Sequence, residues 1–328
     1  MNDVSGRSRE ILIGLIAGLL AGLMAIVYGS LIEVRITRTR RYAVTVPDLP
    51  PGLEGLRIAF LTDFHINGPG DNRRLVRMAF AATARYQPDL TLLGGDYFDH
   101  AHWEGGEEAF AGPHTAGPIF GVLGNHDLFR SERHAEATAR ILEESGIRVL
   151  RNQAVTVTVR GQEVIIAGVD DPFTRRADLA LTLATVPSGI RPLVLLSHAP
   201  VLADTAPTAC AGLILSGHTH GGQIRLSPFR TLTPLDISWY IDGLRGKPQS
   251  RCHRGFHWVR GNLLFVSNGI GTTHWPIRFM APPEVLIFDL TAAPADPAAP
   301  CDSPRRYVQS LPSASCREWE AEKQQAGS

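Results

Sequence analysis

The chain carries two kinds of hydrophobic segment. From Ile11 to Ile32 every residue is uncharged, reading ILIGLIAGLLAGLMAIVYGSLI. As a helix this run is about 33 Å long at ~1.5 Å per residue, enough to cross a hydrocarbon layer of about 30 Å. Beyond position 55 the apolar runs shorten to the length of buried strands. These are Leu56–Leu61, Leu90–Leu93, Ile119–Leu123, Leu193–Leu196, Leu213–Leu215, Leu263–Val266 and Val285–Phe288. Two windows have helical spacing: Arg74 to Tyr86, with Leu75, Met78, Ala79 and Ala82 on one face and Pro88 closing it, and Glu132 to Ser145. Val155–Val159 and Val164–Ala167 flank Gly161 and read as a hairpin.

This pattern divides the chain into an N-terminal flank (1–10), a transmembrane helix (11–32), a linker rich in Arg, Pro and Gly (33–55), an α/β domain (56–290) and a disordered, Ala/Pro/Ser-rich tail (291–328). Glu33-Val34-Arg35 follows the apolar run where a small-residue cleavage site would stand, so the segment is expected to stay as a single-pass anchor. Arg7 and Arg9 precede it; Arg35, Arg38, Arg40 and Arg41 follow. The heavier basic flank favours a cytoplasmic side for the domain that follows, with the extracytoplasmic side as the alternative. Gly14, Gly18 and Gly22 fall on one helix face, a spacing that permits a homodimer through the transmembrane helix.

The 328 residues carry 32 basic and 32 acidic side chains, and this zero net charge argues against a nucleic-acid partner. The four cysteines, Cys210, Cys252, Cys301 and Cys316, form no C-x-x-C pair, which excludes a zinc ribbon; they read as free thiols.

The chemistry lies where the strands end. Five apolar runs lead into Asp63-Phe64-His65, Gly95-Asp96, Gly124-Asn125-His126-Asp127, Ser197-His198 and Gly217-His218-Thr219-His220. Loops at strand C-termini of an α/β fold converge on one edge. Asp63 and His65, and likewise His218 and His220, are two apart and point the same way in extended chain. Imidazole, carboxylate and amide oxygens without thiolate suit Mn, Fe, Zn or Co, and they are too many for one tetrahedral ion. Seven donors serve two divalent metal ions if one carboxylate bridges them.

These five blocks, in this order, resemble the calcineurin-like metallophosphoesterase superfamily over residues 56–290. The stretches Gly217–Ile224, Ser267–Gly271, Pro276–Phe279 and Pro283-Glu284 resemble its YaeI/YkuE-like membrane-associated phosphodiesterase branch more closely. The resemblance implies a sandwich of two mixed β-sheets flanked by helices. It assigns Asp63, His65, Asp96 and His220 to one metal, and Asp96, Asn125, His198 and His218 to the other. It makes His126 the acid beside the leaving group, held by Asp127.

Two divalent ions against Asp63, Asp96 and a bridging hydroxide leave the site net positive, which favours a phosphate ester; the ions activate the water that attacks phosphorus. The sequence therefore predicts a membrane-anchored phosphoesterase of phosphodiester type. A narrower alternative is a pyrophosphate hydrolase of the UDP-2,3-diacylglucosamine type, acting on a lipid-linked substrate in lipid A biosynthesis. A non-catalytic scaffold, the third reading, fits poorly with a full ligand set. Arg73, Arg74 and Arg278 read as surface or packing residues, Trp239, Tyr240 and Trp275 as core, and His100, His102 and His114 as a solvated loop.

Overall fold

The computed structural model describes residues 4–68, 72–99, 107–110, 115–128, 131–225, 250, 252–292 and 308–311. In chain order the strands are β1 (Arg38–Val46), β2 (Leu56–Leu61), β3 (Leu90–Leu93), β4 (Ile119–Gly121), β5 (Ile147–Val149), β6 (Gln153–Val159), β7 (Gln162–Gly168), β8 (Val194–Leu196), β9 (Leu213–Ser216), β10 (Gly255–Val259), β11 (Asn262–Val266), β12 (Glu284–Ala292) and β13 (Val308–Leu311). The helices are α1 (Val4–Leu31), α2 (Arg73–Ala84), α3 (Asn125–Leu128), α4 (Glu132–Glu144), α5 (Leu179–Ala184) and α6 (Leu202–Thr205).

Two mixed sheets form, in the orders β13-β1-β12-β2-β3-β4-β5 and β10-β11-β9-β8-β7-β6. Their continuous apolar runs follow from burial on both faces. In β2, Ile58 and Phe60 point into the space between the sheets, while Ala59 and Leu61 face the helices. Val194 and Leu196 of β8, and Leu213 and Leu215 of β9, fill the same central core from the second sheet, with Leu195 and Ile214 turned outward. The period of two thus builds three apolar layers from short strands. β2 to β5 run parallel, as do β7, β8, β9 and β11.

The sandwich extends beyond 56–290. Residues expected as a linker include β1, which pairs in parallel with β12 from Arg38↔Glu284 to Val46↔Ala292. Its alternation is hidden in the sequence because arginines occupy its outer positions; Val44 and Val46 are buried. Arg41 and Arg57 share the Asp289 carboxylate at 2.5 and 2.8 Å, and Arg40 meets Glu284 at 2.9 Å. Part of the expected tail is also ordered: Thr291 and Ala292 finish β12, and β13 pairs antiparallel with β1. The rest of that tail, with Cys301 and Cys316, lies outside the described residues, as do His100, His102, His114, Trp239 and Tyr240. Cys210 and Cys252 are buried free thiols.

In α2 the buried face is Leu75, Val76, Ala79, Phe80 and Thr83, whereas Met78 is exposed, one position off the expected stripe. α1 is a single helix with its apolar side chains exposed along its length, long and apolar enough to cross a membrane. Gly14, Gly18 and Gly22 have open space around them.

Candidate metal centre

Each predicted ligand follows a strand of the parallel sets. Asp63 and His65 leave β2, Asp96 leaves β3, Asn125 opens α3 after β4, His198 follows β8, and His218 and His220 follow β9. The structure brings all seven together. Asp63, His65 and His220 form one group of converging donors; Asp96, His198 and His218 form a second. Asn125 Oδ1 joins the second group, 3.1 Å from His198 Nε2 and 2.7 Å from His218 Nδ1. Asp96 Oδ2 lies between the groups, 3.5 Å from His65 Nε2 and 3.1 Å from His198 Nε2.

The pairs two apart in sequence do not converge by extended backbone. Asp63, His65, Asp96, His218 and His220 all have positive φ, from 45° to 68°, so five of the seven donors sit in the left-handed region. Such conformations cost of order 1–3 kcal/mol each for residues with a Cβ and persist where the surroundings impose them. The turns separate His218 from His220, one to each group. Two glycines allow the crowding. Gly95 itself has φ +96°, and a Cβ on Gly124 would collide with the Asp96 carboxylate.

The donors fit divalent cations. Asp63 Oδ2 is buried with no hydrogen-bond partner, while its Oδ1 accepts the His218 N–H at 2.9 Å. His65 Nε2 and His220 Nε2 face each other at 3.1 Å, two lone-pair positions aimed at one point. His198 Nδ1 donates to the Gly94 carbonyl at 2.7 Å, which leaves Nε2 as the free donor atom. Anchoring of the second ring nitrogen is how proteins orient imidazole ligands.

Asp127 does not hold His126. Its side chain is fully buried, and its oxygens accept the N–H groups of Asp96 at 2.8 Å, Gly124 at 2.9 Å and Tyr97 at 3.1 Å. It staples the turn after β3 to the turn after β4, a positioning role rather than one next to the leaving group. Burial, with Asp96 adding to it, pushes its carboxyl up to about 7. The partner of His126 is Asp99, whose Oδ1 lies 2.8 Å from His126 Nδ1 and 3.3 Å from His65 Nδ1. Sequence reading missed Asp99. Its signal was an acid three positions after Asp96 on the same loop. His126 is partly open to solvent, at 27% side-chain exposure, whereas His65, His198 and Asp63 are sealed.

Arg278 is a structural arginine, not a surface one. It is fully buried, donates to the carbonyls of Ala281 at 2.8 Å, Asn268 at 2.9 Å and Gly271, and reaches His220 Nδ1 at 3.4 Å. Arg73 is half-buried and Arg74 exposed at the start of α2.

The electrostatics express the need for positive charge. Burial opposes the His198 imidazolium, but Asp96, Asp63 and Asp171 outweigh it and push the ring up to about 10. Burial likewise opposes charge on His126, and Asp96 and Asp99 raise it to about 9. His218 is pushed down to about 3 by burial and the charged His198. Without cations, protons on His126 and His198 thus offset the carboxylates. Rings whose folded pKa exceeds the ordinary 6.5 stabilise the fold fully below 6.5 and lose that contribution as pH rises through the folded value. Chelator-treated protein is therefore expected to melt at falling temperature as pH climbs from about 7 to 10. Metal-loaded protein should show a flatter profile over the same melting series.

A family model described as calcineurin-like phosphoesterase matches residues 56–222, just over half of the chain. The chain belongs to this family. It is thus a metal-dependent phosphoester hydrolase, and its clustered Asp and His groups could hold metal ions. It is 30% identical to an uncharacterized metallophosphoesterase of Aquifex aeolicus over 266 residues, covering 79% of this chain and 93% of that protein. Against phosphodiesterase YaeI of Escherichia coli it is 26% identical, covering 71% and 82%. A putative metallophosphoesterase of Caenorhabditis elegans is 29% identical over 71% of this chain, which spans only 48% of that relative.

Proposed function

We propose that the chain is a membrane-anchored phosphodiesterase working through a dinuclear metal centre. The observation that carries this reading is Asp96 Oδ2 standing between two donor groups, with His126 at the open side. Asp63, His65, Asp96 and His220 would hold one ion; Asp96, Asn125, His198 and His218 the other. Two divalent ions there, Mn, Fe, Zn or Co, would supply Lewis acidity to the phosphate oxygens and lower the pKa of water between them.

The chain's own groups do the rest. The His126 main-chain N–H donates to Asp96 Oδ1 at 2.9 Å, which fixes the ring beside the bridging carboxylate. Asp99 holds Nδ1, which leaves Nε2 to give its proton to the departing alkoxide. The partly exposed His126 and His218 mark the mouth through which the ester enters. A diester preference is supported by the similarity to a relative named phosphodiesterase. Full-length protein should turn over bis-p-nitrophenyl phosphate faster than p-nitrophenyl phosphate, and a reversed order would refute the diester reading.

A second reading is favoured by the end of α1, which packs against the 278–281 segment. A site fixed beside a membrane helix suits a lipid-linked pyrophosphate, and the basic flank after the helix supports a cytoplasmic domain. UMP release from UDP-2,3-diacylglucosamine supports this narrower activity; hydrolysis of soluble diesters alone rejects it.

A further inference from the structure

The apolar helix does not lead into free linker. The Gly29 carbonyl accepts the Arg278 N–H at 3.2 Å, and the rings of Tyr28 and Phe279 meet edge to face at 6.3 Å. Just past the helix, the buried Glu33 carboxylate accepts the N–H groups of Met280 at 3.1 Å and Ala281 at 2.8 Å. A Cβ at Gly29 would lie 2.7 Å from the Arg278 carbonyl oxygen, so only glycine permits this approach. These contacts clamp the 273–280 segment onto the last turn of α1.

The segment is bound on its other side to the metal centre. Gln223, three residues past His220, donates to the carbonyls of Thr273 at 2.9 Å and Trp275 at 3.0 Å, and accepts the Thr273 N–H at 3.0 Å. Between these two attachments the segment turns apolar side chains outward. Trp275 is 52% exposed and Met280 37%, contrary to the core position expected for Trp275. Ile32 and Ile36, at the helix exit, are also exposed.

A helix that crosses a bilayer leaves it through the headgroup region, and whatever is clamped to its last turn is carried to that depth. Indole and other amphipathic side chains are favoured there. We propose that the 273–280 segment is a lipid-interface element, seating Trp275 and Met280 among the headgroups and upper acyl chains of the bilayer that holds α1. The assignment rests on the anchor reading above and adds a second contact to it: the catalytic domain lies on the membrane, with the His220 side of its metal centre toward the lipid surface. Continuity with the helix exit selects lipid over a protein partner.

The test uses full-length protein reconstituted into phosphatidylcholine–phosphatidylglycerol vesicles whose acyl chains are brominated near the headgroup. The fluorescence of Trp275 is read as the difference between wild type and Trp275→Phe. That difference should be quenched by about half or more, as expected for an indole at the interface. Met280→Trp in the Trp275→Phe background should restore a quenched signal. Both variants should keep the wild-type turnover of soluble bis-p-nitrophenyl phosphate. Protein that floats with the vesicles but shows an unquenched Trp275 difference overturns the interface assignment and leaves the anchor standing. An unquenched signal accompanied by a stable dimer assigns the patch to a second copy instead. Protein that fails to float overturns anchor and interface together, while the soluble assay reports independently on the phosphoesterase.

Discussion

Asp96→Ala is expected to lose metal and to lower turnover by roughly 10³-fold or more, because it removes the carboxylate proposed to bridge the two ions. Asp96 Oδ2 lies within 3.5 Å of a ring from each donor group, while Oδ1 fixes the His126 main chain. Loss of the carboxylate therefore weakens both ion positions and releases the acid from its place. Metal analysis of the purified variant beside wild type reads the first effect, and turnover of bis-p-nitrophenyl phosphate reads the second. The fold should survive, since Asp96 follows β3 rather than lying in it, and the strand core of Leu90, Leu92 and Leu93 is untouched. Full activity in this variant would refute the bridging assignment.

His126→Ala is expected to give the second-largest effect and a different signature. Turnover should fall by about 10²–10⁴-fold, the usual worth of a positioned general acid, while metal content holds. The ring is the one member of the cluster that reaches solvent beside Asp96 without belonging to either predicted ligand set. Its partner adds a pH test. Asp96 favours the charged ring, and Asp99, 2.8 Å from Nδ1, adds to that effect. Activity that needs the protonated ring declines as pH rises through the pKa of that ring in the metal-loaded enzyme. Asp99→Asn removes a negative charge, so the alkaline decline should begin at lower pH. A profile that does not move in Asp99→Asn would show that Asp99 does not act through His126.

Much of this could be read from the order of residues. Strands buried on both faces announce themselves as short apolar runs, and the donors stand directly after them. The seven donors were therefore legible as one site although they come from five separate turns. What escaped notice was set by tertiary contacts. β1 is masked by Arg38, Arg40 and Arg41; the charges of Arg40 and Arg41 are offset only once Glu284 and Asp289 of β12 stand beside them. β5 spans three residues, too short to show a period. The converging pairs use left-handed turns, which a spacing of two residues does not reveal. The exchange of Asp127 for Asp99 has the same origin. Asp127 adjoins His126 in sequence but sits in the first turn of α3, which directs it to the main chain of the preceding loops, whereas Asp99 arrives from another strand. Trp275 reads as core by composition and is exposed because Gln223 and Glu33 secure its segment from either side.

Metal stoichiometry measured together with turnover decides whether two cations act as a pair in this site. Full-length protein stripped with chelator and titrated with Mn, Fe, Zn or Co should bind two ions per chain, and hydrolysis of bis-p-nitrophenyl phosphate should appear only as the second position fills. Binding of a single ion with full activity, or hydrolysis that persists in the stripped protein, would contradict a paired-cation site built on Asp96.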